Sequence, residues 1–338
     1  RIKIMEIYKS KVMGFCYGVK RAMKIAENAA NSGIKAVTYG PIIHNPQVVG
    51  RLSEKGVHPV EDLDTLTDET VIIRSHGVGP SCYNKLKCKN LALMDATCPF
   101  VKRNQEITKD LVADGKTVVL IGEKKHPEMK SVAEWAVGHS FQVETLEDVD
   151  QLPDMEEAHI VTQTTFSVAL ADQLVQAIRQ RIPHVFLHKS ICDATMQRQQ
   201  AARELARKVD VMIVIGGRNS ANTSRLADVC RSEGACVHHI ETAEELKSEW
   251  FQTRDKIGIT AGASTPDWII EEVVFIMENM KEMLEQEEMN LDVHKGSVVE
   301  GEAVDVLDDK AYISFGYKTE AVLQAHESAF PAPASLKD

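Results

Sequence analysis

Three cysteines constrain most strongly what this chain can fold into. Gly14-Phe15-Cys16, Ala96-Thr97-Cys98 and Ser190-Ile191-Cys192 each stand where an apolar run gives way to a helix-like stretch. The sequence repeats around them. Val-Lys-Arg follows Cys16 and Cys98 (Val19-Lys20-Arg21 and Val101-Lys102-Arg103), and a glycine, Gly33 or Gly115, closes the helix 17 residues after each. His44-Asn45-Pro46 and His126-Pro127-Glu128 begin 28 residues after Cys16 and Cys98, and Asn219-Ser220-Ala221-Asn222 begins 27 after Cys192. A second polar cluster lies 60, 66 and 72 residues after its cysteine, at Ser75-His76-Gly77, Thr164-Thr165 and Ser264-Thr265. One spacing match is chance; their joint agreement points to a unit used three times.

The runs between the markers fit that unit. Val71–Arg74, Leu91–Met94, Thr117–Ile121, His159–Thr162, Val185–Leu187, Val209–Ile215 and Ile257–Thr260 read as buried strands. Amphipathic stretches at Val19–Asn31, Val101–Asp114, Val168–Arg181, Gln197–Lys208 and Trp268–Leu284 read as helices. Strands alternating with helices give parallel sheets. The expected fold class is α/β: three pseudo-threefold-related units, 5–97, 98–191 and 192–284, around a central site. Ligands of open α/β sheets bind beyond the carboxyl ends of strands, where helix N-termini present free N–H groups. Three such units would aim all three cysteines and all six polar clusters at one point.

Seven cysteines without a CxxC pair do not make a secreted disulfide scaffold in 338 residues, so the expectation is a reduced, cytoplasmic protein. Cys82, Cys88, Cys230 and Cys236 read as small hydrophobes. For Cys16, Cys98 and Cys192 ligation is favoured. Three thiolates suit Zn²⁺ with an open fourth position, or an iron–sulfur cubane with one iron left free. The cubane has the matching threefold symmetry and is preferred. His44, His76, Ser220, Asn222, Ser264, Thr164 and Thr165 offer donors at helix starts, a set of the size needed for a diphosphate. Glu128 is a carboxyl whose pKa neighbouring negative charge would raise, as suits a proton donor, with Thr164 to orient the proton.

No apolar run reaches the ~20 residues of a membrane span, and the N-terminus carries neither a signal peptide nor a transit segment. Met5 opens a strand-like stretch, so Arg1 to Ile4 read as an upstream remnant. The formal charge of −11 argues against non-specific nucleic-acid binding and sits awkwardly with an anionic substrate. Residues 281–338 hold 5 Lys plus Arg and 13 Asp plus Glu, a balance of −8, which leaves only −3 for residues 1–280. The acid is therefore concentrated away from the cysteines.

The motifs resemble those of the 4-hydroxy-3-methylbut-2-enyl diphosphate reductase (IspH, or LytB) family. The matching residues are Gly14-Phe15-Cys16 with Gly18-Val19-Lys20-Arg21-Ala22, His44-Asn45, Ser75-His76-Gly77-Val78 and Asp95-Ala96-Thr97-Cys98-Pro99. His126-Pro127-Glu128, Thr162-Gln163-Thr164-Thr165, Ile191-Cys192 with Ala194-Thr195, Asn219-Ser220-Ala221-Asn222 with Arg225-Leu226, and Gly262-Ala263-Ser264 continue the series in family order. The resemblance implies a [4Fe-4S] cluster on Cys16, Cys98 and Cys192 and removal of an allylic hydroxyl with two electrons and two protons. It further implies isopentenyl and dimethylallyl diphosphate as products, in the last step of the non-mevalonate pathway, and an electron donor such as ferredoxin or flavodoxin. It assigns the diphosphate to His44, His76, Ser220, Asn222 and Ser264, and proton delivery to Glu128, Thr164 and His126. Two departures stand out. Ala221 replaces a serine of some members and would contribute its backbone N–H, and Asp193 adds a charge beside the third cysteine.

The remainder, 285–338, reads as a linker and a partial S1-like segment, with strands at Gly296–Val306 and Lys310–Gly316 and a linker-like end at Pro331-Ala332-Pro333-Ala334. This is an incomplete OB-fold-like β segment. A complete S1 region binds RNA through aromatics such as Tyr312, Phe315 and Tyr317, but an acidic fragment is poorly suited to it. A redox enzyme and an RNA-binding protein are thus the two competing classes, and the cysteines favour the first.

Overall fold

The computed structural model describes residues 5–252, 255–290, 301–306, 310–314 and 321–324. Two compact units divide the chain, Met5–Met277 and the residues from Glu278 onward.

The first unit begins with β1 (Glu6–Lys9), which leads to Cys16. Then follow α1 (Tyr17–Asn31), β2 (Ala36–Tyr39), α2 (Pro46–Glu54), β3 (His58–Val60), β4 (Thr70–Ile73), α3 (Pro80–Cys88) and β5 (Leu93–Asp95). After Cys98 come α4 (Pro99–Ala113), β6 (Val118–Ile121), α5 (Pro127–Trp135), β7 (Ser140–Val143), α6 (Leu146–Asp150), β8 (Glu157–Thr162), α7 (Val168–Arg181) and β9 (His184–Leu187). After Cys192 come α8 (Asp193–Ala206), β10 (Val211–Ile215), α9 (Ala221–Ser232), β11 (Cys236–Ile240), β12 (Lys256–Ala261) and α10 (Asp267–Asn290). Each of the seven strands expected between Val71 and Thr260 is present, with neither end displaced by more than two residues.

These strands form three parallel four-stranded sheets, β3-β2-β4-β5, β7-β6-β8-β9 and β11-β10-β12-β1. The order is the same in each, second-first-third-fourth, counting from the strand that follows the cysteine. The 5–97 division needs one correction. β1 pairs with β12, Glu6 against Lys256 through Lys9 against Ile259, so the chain's first strand completes the third sheet. The outermost strands β1, β5 and β9 occupy equivalent places, and each feeds the next cysteine, Cys16, Cys98 or Cys192. The repeat closes on itself.

Local chemistry sets the ends. Proline occupies the first turn of α2, α3, α4 and α5, where its missing N–H costs nothing. Gly33 and Gly115, at φ +70° and +71°, take the left-handed position that ends α1 and α4. Val118, Val119, Leu120 and Ile121 of β6 are all fully buried, as expected for a central parallel strand covered on both faces.

α10 passes the expected end at Leu284 and reaches Asn290. No helix among the described residues is long and apolar enough to cross a membrane. Beyond it β13 (Glu302–Val306), β14 (Lys310–Ser314) and β15 (Ala321–Gln324) form an antiparallel sheet with a bulge between Ala303 and Asp305. The third of these strands was not anticipated. Tyr312 is half-buried in it. Phe315, Tyr317, Gly296 to Glu300, Arg1 to Ile4 and the proline-containing end lie outside the described residues.

Candidate active site

A cavity lies within the Met5–Met277 unit, and all thirteen residues expected at the site line it. One end is sulfur. Cys16, Cys98 and Cys192 are the N-cap residues of α1, α4 and α8. Each is held in the same way, by the segment that follows the neighbouring strand of the sheet that feeds it. Cys98 N donates to Ser75 O at 2.9 Å, Cys192 N to Thr164 O at 3.1 Å, and Cys16 N to Ala263 O at 3.2 Å. A Cβ at Gly18 would lie 2.5 Å from Cys98 Sγ, so only glycine lets that thiol rest against the first turn of α1, beside Cys16. Cys192 Sγ accepts from Thr195 N at 3.4 Å and pairs with Thr195 Oγ1 at 3.1 Å.

All seven cysteines are free. Burial pushes the Cys98 thiol up to about 11 and raises Cys192 as well. Thiols so placed stay protonated until a cation arrives, and metal ligation is what releases such protons. Cys82 and Cys230 are buried as expected of small hydrophobes, whereas Cys88 and Cys236 are exposed. Asp193, beside the third ligand candidate, points its charge outward to Lys189 at 3.0 Å.

The opposite end is built of imidazoles and helix starts. The rings of His44 and His76 lie close and tilted at 35°, with centroids 4.3 Å apart, and His126 meets them edge-on at 5.7 and 5.4 Å. His126 caps α5, its Nδ1 accepting from Glu128 N at 3.2 Å. Asn45 caps α2 and Ser220 caps α9. Ser264 Oγ bonds His44 O at 3.2 Å and Ser220 Oγ at 3.3 Å, joining two of these helix starts. Ala221 is the first residue of α9, and Thr165 accepts from Gln163 Nε2 at 3.0 Å.

Burial lowers all three histidines, with His126 brought down to about 3, and their mutual proximity and Arg74 add to the effect. Among the described residues, His44 Nε2, His76 Nδ1 and Asn222 Nδ2 are buried without a hydrogen-bond partner. Three imidazole nitrogens within 4.8 Å of one another are also a geometry for a divalent cation. The N-termini of α2, α5 and α9 at the same end decide for an anion, because their dipoles repel a cation and attract oxyanions.

Glu128 stands within this cavity, 1% exposed. Its Oε1 accepts from Thr164 N and its Oε2 from Thr164 Oγ1, both at 2.7 Å. Burial raises it to about 7, against the lowering by the Thr164 hydrogen bonds. The sequence reading had expected nearby negative charge as the cause; desolvation alone suffices.

Two arginines escaped the sequence reading. Arg74 immediately precedes Ser75-His76 and acts on all three histidines. Arg198 contacts the backbone of two cysteine segments. Arg198 falls on α8 six residues after Cys192, off the i+3/i+4 face that a helical projection from the cysteine would pick out, and its bond to Gly14 joins segments 184 residues apart.

The family model described as LytB protein matches residues 7–278. A 4-hydroxy-3-methylbut-2-enyl diphosphate reductase of Geobacter sp. (strain M21) is 46% identical over 271 residues, 80% of this chain and 96% of the relative. The enzyme of the same name from Geobacter sulfurreducens is 47% identical over 270 residues, again 80% and 96%. A solved structure of (E)-4-hydroxy-3-methyl-but-2-enyl diphosphate reductase, the terminal enzyme of the non-mevalonate pathway, aligns at TM-score 0.62 and 44% identity, covering 82% of this chain and all of that one. The Plasmodium falciparum reductase aligns at TM-score 0.78 and 26% identity, covering 84% and 99%.

Proposed function

This chain belongs to the LytB protein family, and from that membership we propose how its cavity works. The protein is a 4-hydroxy-3-methylbut-2-enyl diphosphate reductase, an iron–sulfur oxidoreductase that performs the last step of the non-mevalonate isoprenoid pathway. It reduces its allylic diphosphate with two electrons and two protons. The C–O bond breaks, the hydroxyl leaves as water with one proton, and the second proton adds to the allyl carbon skeleton, giving isopentenyl or dimethylallyl diphosphate.

The cluster assigned to the sulfur end is [4Fe-4S], held by Cys16, Cys98 and Cys192. The donor set fits it: three free thiols at equivalent helix starts, with no fourth cysteine lining the cavity among the described residues. When bound, the cluster supplies electrons and an iron that polarises the substrate hydroxyl.

The chain's own residues do the rest. His44, His76, Ser220, Asn222, Ser264 and the Ala221 backbone receive the diphosphate; the unpartnered His44 Nε2, His76 Nδ1 and Asn222 Nδ2 are donors for it. An arriving diphosphate raises the lowered histidine pKa values and draws protons onto the rings. Glu128 near pH 7 still holds a proton, and Thr164 fixes the orientation of its carboxyl. His126 receives the Glu128 backbone N–H and sets the first turn of α5 from which Glu128 projects. The observation that carries this reading is the meeting of three N-capping cysteines and a buried, neutral carboxyl in one cavity with an oxyanion-binding end.

Electrons arrive from a small carrier such as ferredoxin or flavodoxin, and open thiols suit the reducing cytoplasm. Anaerobically prepared protein tests the proposal. It should be brown, contain iron and sulfide, and convert 4-hydroxy-3-methylbut-2-enyl diphosphate with a reduced artificial donor. A colourless or zinc-loaded active protein would contradict it.

A further inference from the structure

Arg198 is 4% exposed, although it carries a guanidinium. Among the described residues its hydrogen bonds go to backbone carbonyls and to no carboxylate: Nη1 donates to Ala194 O at 3.0 Å and Nη2 to Gly14 O at 2.7 Å. Its Nε is buried without a partner. Both acceptors lie two residues from a cysteine of the sulfur end. Ala194 follows Cys192 in the first turn of α8, and Gly14 precedes Cys16 in a left-handed conformation, φ +77°. A Cβ at Gly14 would sit 3.0 Å from Asp267 Oδ1, so that loop has little freedom to move. Burial disfavours the guanidinium charge, and the groups placed to offset that when they carry negative charge are Cys16 and Cys192.

A buried cation without a counter-charge is costly, and neutral carbonyls do not supply one. Three thiolates around an iron–sulfur core do, because such an assembly carries net negative charge, and more of it after reduction. Net charge and hydrogen bonding around a cluster are among the factors that set its potential. Residues that orient ligands from behind matter nearly as much as the ligands themselves.

We propose that Arg198 is a positioning residue of the sulfur end: it ties the Cys16 loop to the start of α8 and supplies the fixed positive charge that makes the bound cluster easier to reduce. The inference rests on the cluster assignment above. A positive charge nearby stabilises the more negative, reduced form, so its removal lowers the midpoint potential. Gln at this position keeps polarity but loses the charge; Lys keeps the charge but loses the two-armed bridge.

The test is an anaerobic redox titration of wild type, Arg198→Gln and Arg198→Lys, followed by the electron paramagnetic resonance signal of the reduced cluster, with iron and sulfide analysed in each. Arg198→Gln should be about tenfold harder to reduce, a one-electron shift of about 59 mV to more negative potential, with Arg198→Lys between it and wild type. If Arg198→Gln folds but loads no iron while Arg198→Lys does, the need for the charge is likewise supported. Equal midpoints in all three proteins overturn the proposal, as does failure of both folded variants to load iron, which would leave Arg198 a purely structural bridge. Absence of iron and sulfide in wild type would instead contradict the cluster assignment itself.

Discussion

At one end of the cavity three cysteines stand at the N-cap positions of three helices; at the other, three imidazoles crowd near the starts of helices. The same burial acts on both and drives them in opposite directions. It raises Cys98 and Cys192, and it lowers His44, His76 and His126. Burial thereby favours the neutral form of Cys98, Cys192 and the three histidines. Under the proposed assignment each reaches its working charge when a ligand of opposite sign arrives, a cationic iron core at the thiols or an anionic diphosphate at the histidines. Burial acts on Glu128 too, raising its carboxyl to about 7, so that a sizeable fraction holds a proton near neutrality, as the proposed role requires. The lesson is that a nearly uncharged cavity binds charged groups because its titratable groups respond to them.

The largest effect that would break this comparison is at the sulfur end. Cys98→Ser should abolish both the bound iron and measurable turnover, as read by iron analysis and anaerobic assay; retained iron with normal turnover would remove Cys98 as a ligand. At the other end His76→Asn should leave iron content unchanged and lower kcat/KM roughly 10- to 100-fold, the value of a charge-assisted hydrogen bond of ~1.5–3 kcal/mol. Inorganic pyrophosphate binding should take up protons near pH 7, and calorimetry in buffers of different ionisation enthalpy reads that uptake. Proton release would reverse the assigned sign.

A subtler prediction concerns stability. Glu128 is raised from an ordinary value of 4.5 to about 7. Between those values the folded state keeps a proton that the unfolded state has lost, so stability falls as pH rises through this window and is unaffected below it. Glu128→Gln should match wild type at pH 4 and exceed it at pH 8 by up to ~3 kcal/mol, read by denaturant unfolding under anaerobic conditions. A gap independent of pH would mean that the carboxyl is not held neutral. The smallest effect is expected for Ala221→Ser, because the backbone N–H at the start of α9 is already in the cavity. KM should fall no more than a few-fold; a tenfold fall would give the side chain at 221 a larger part in diphosphate binding.

The two ends also differ in how far the sequence discloses them. Cys16, Cys98 and Cys192 were legible because each repeats with its neighbours at a strand-to-helix junction, and a repeat shows in spacing. The close approach of His44 to His76 was not, since their rings meet only after β2 and β4 pair in the sheet. Arg198 and Arg74 were missed for the same reason: their relevance depends on which backbone or ring lies opposite. β1 was assigned to the first unit because sequence order suggests local pairing, whereas the repeat is closed by joining the chain's first strand to a sheet more than 200 residues later. Hydrophobic pattern discloses the kind of an element far better than its partner.

The most direct test of the account is single: anaerobic turnover by Glu128→Gln beside wild type, with iron and sulfide measured in the same preparations. Glutamine preserves the shape of the side chain and can bond to Thr164, but it has no proton to give. The account predicts turnover reduced by roughly 10²- to 10⁴-fold, the usual contribution of a positioned acid, with the iron and sulfide of wild type. Near-normal turnover by an iron-loaded Glu128→Gln protein would contradict it.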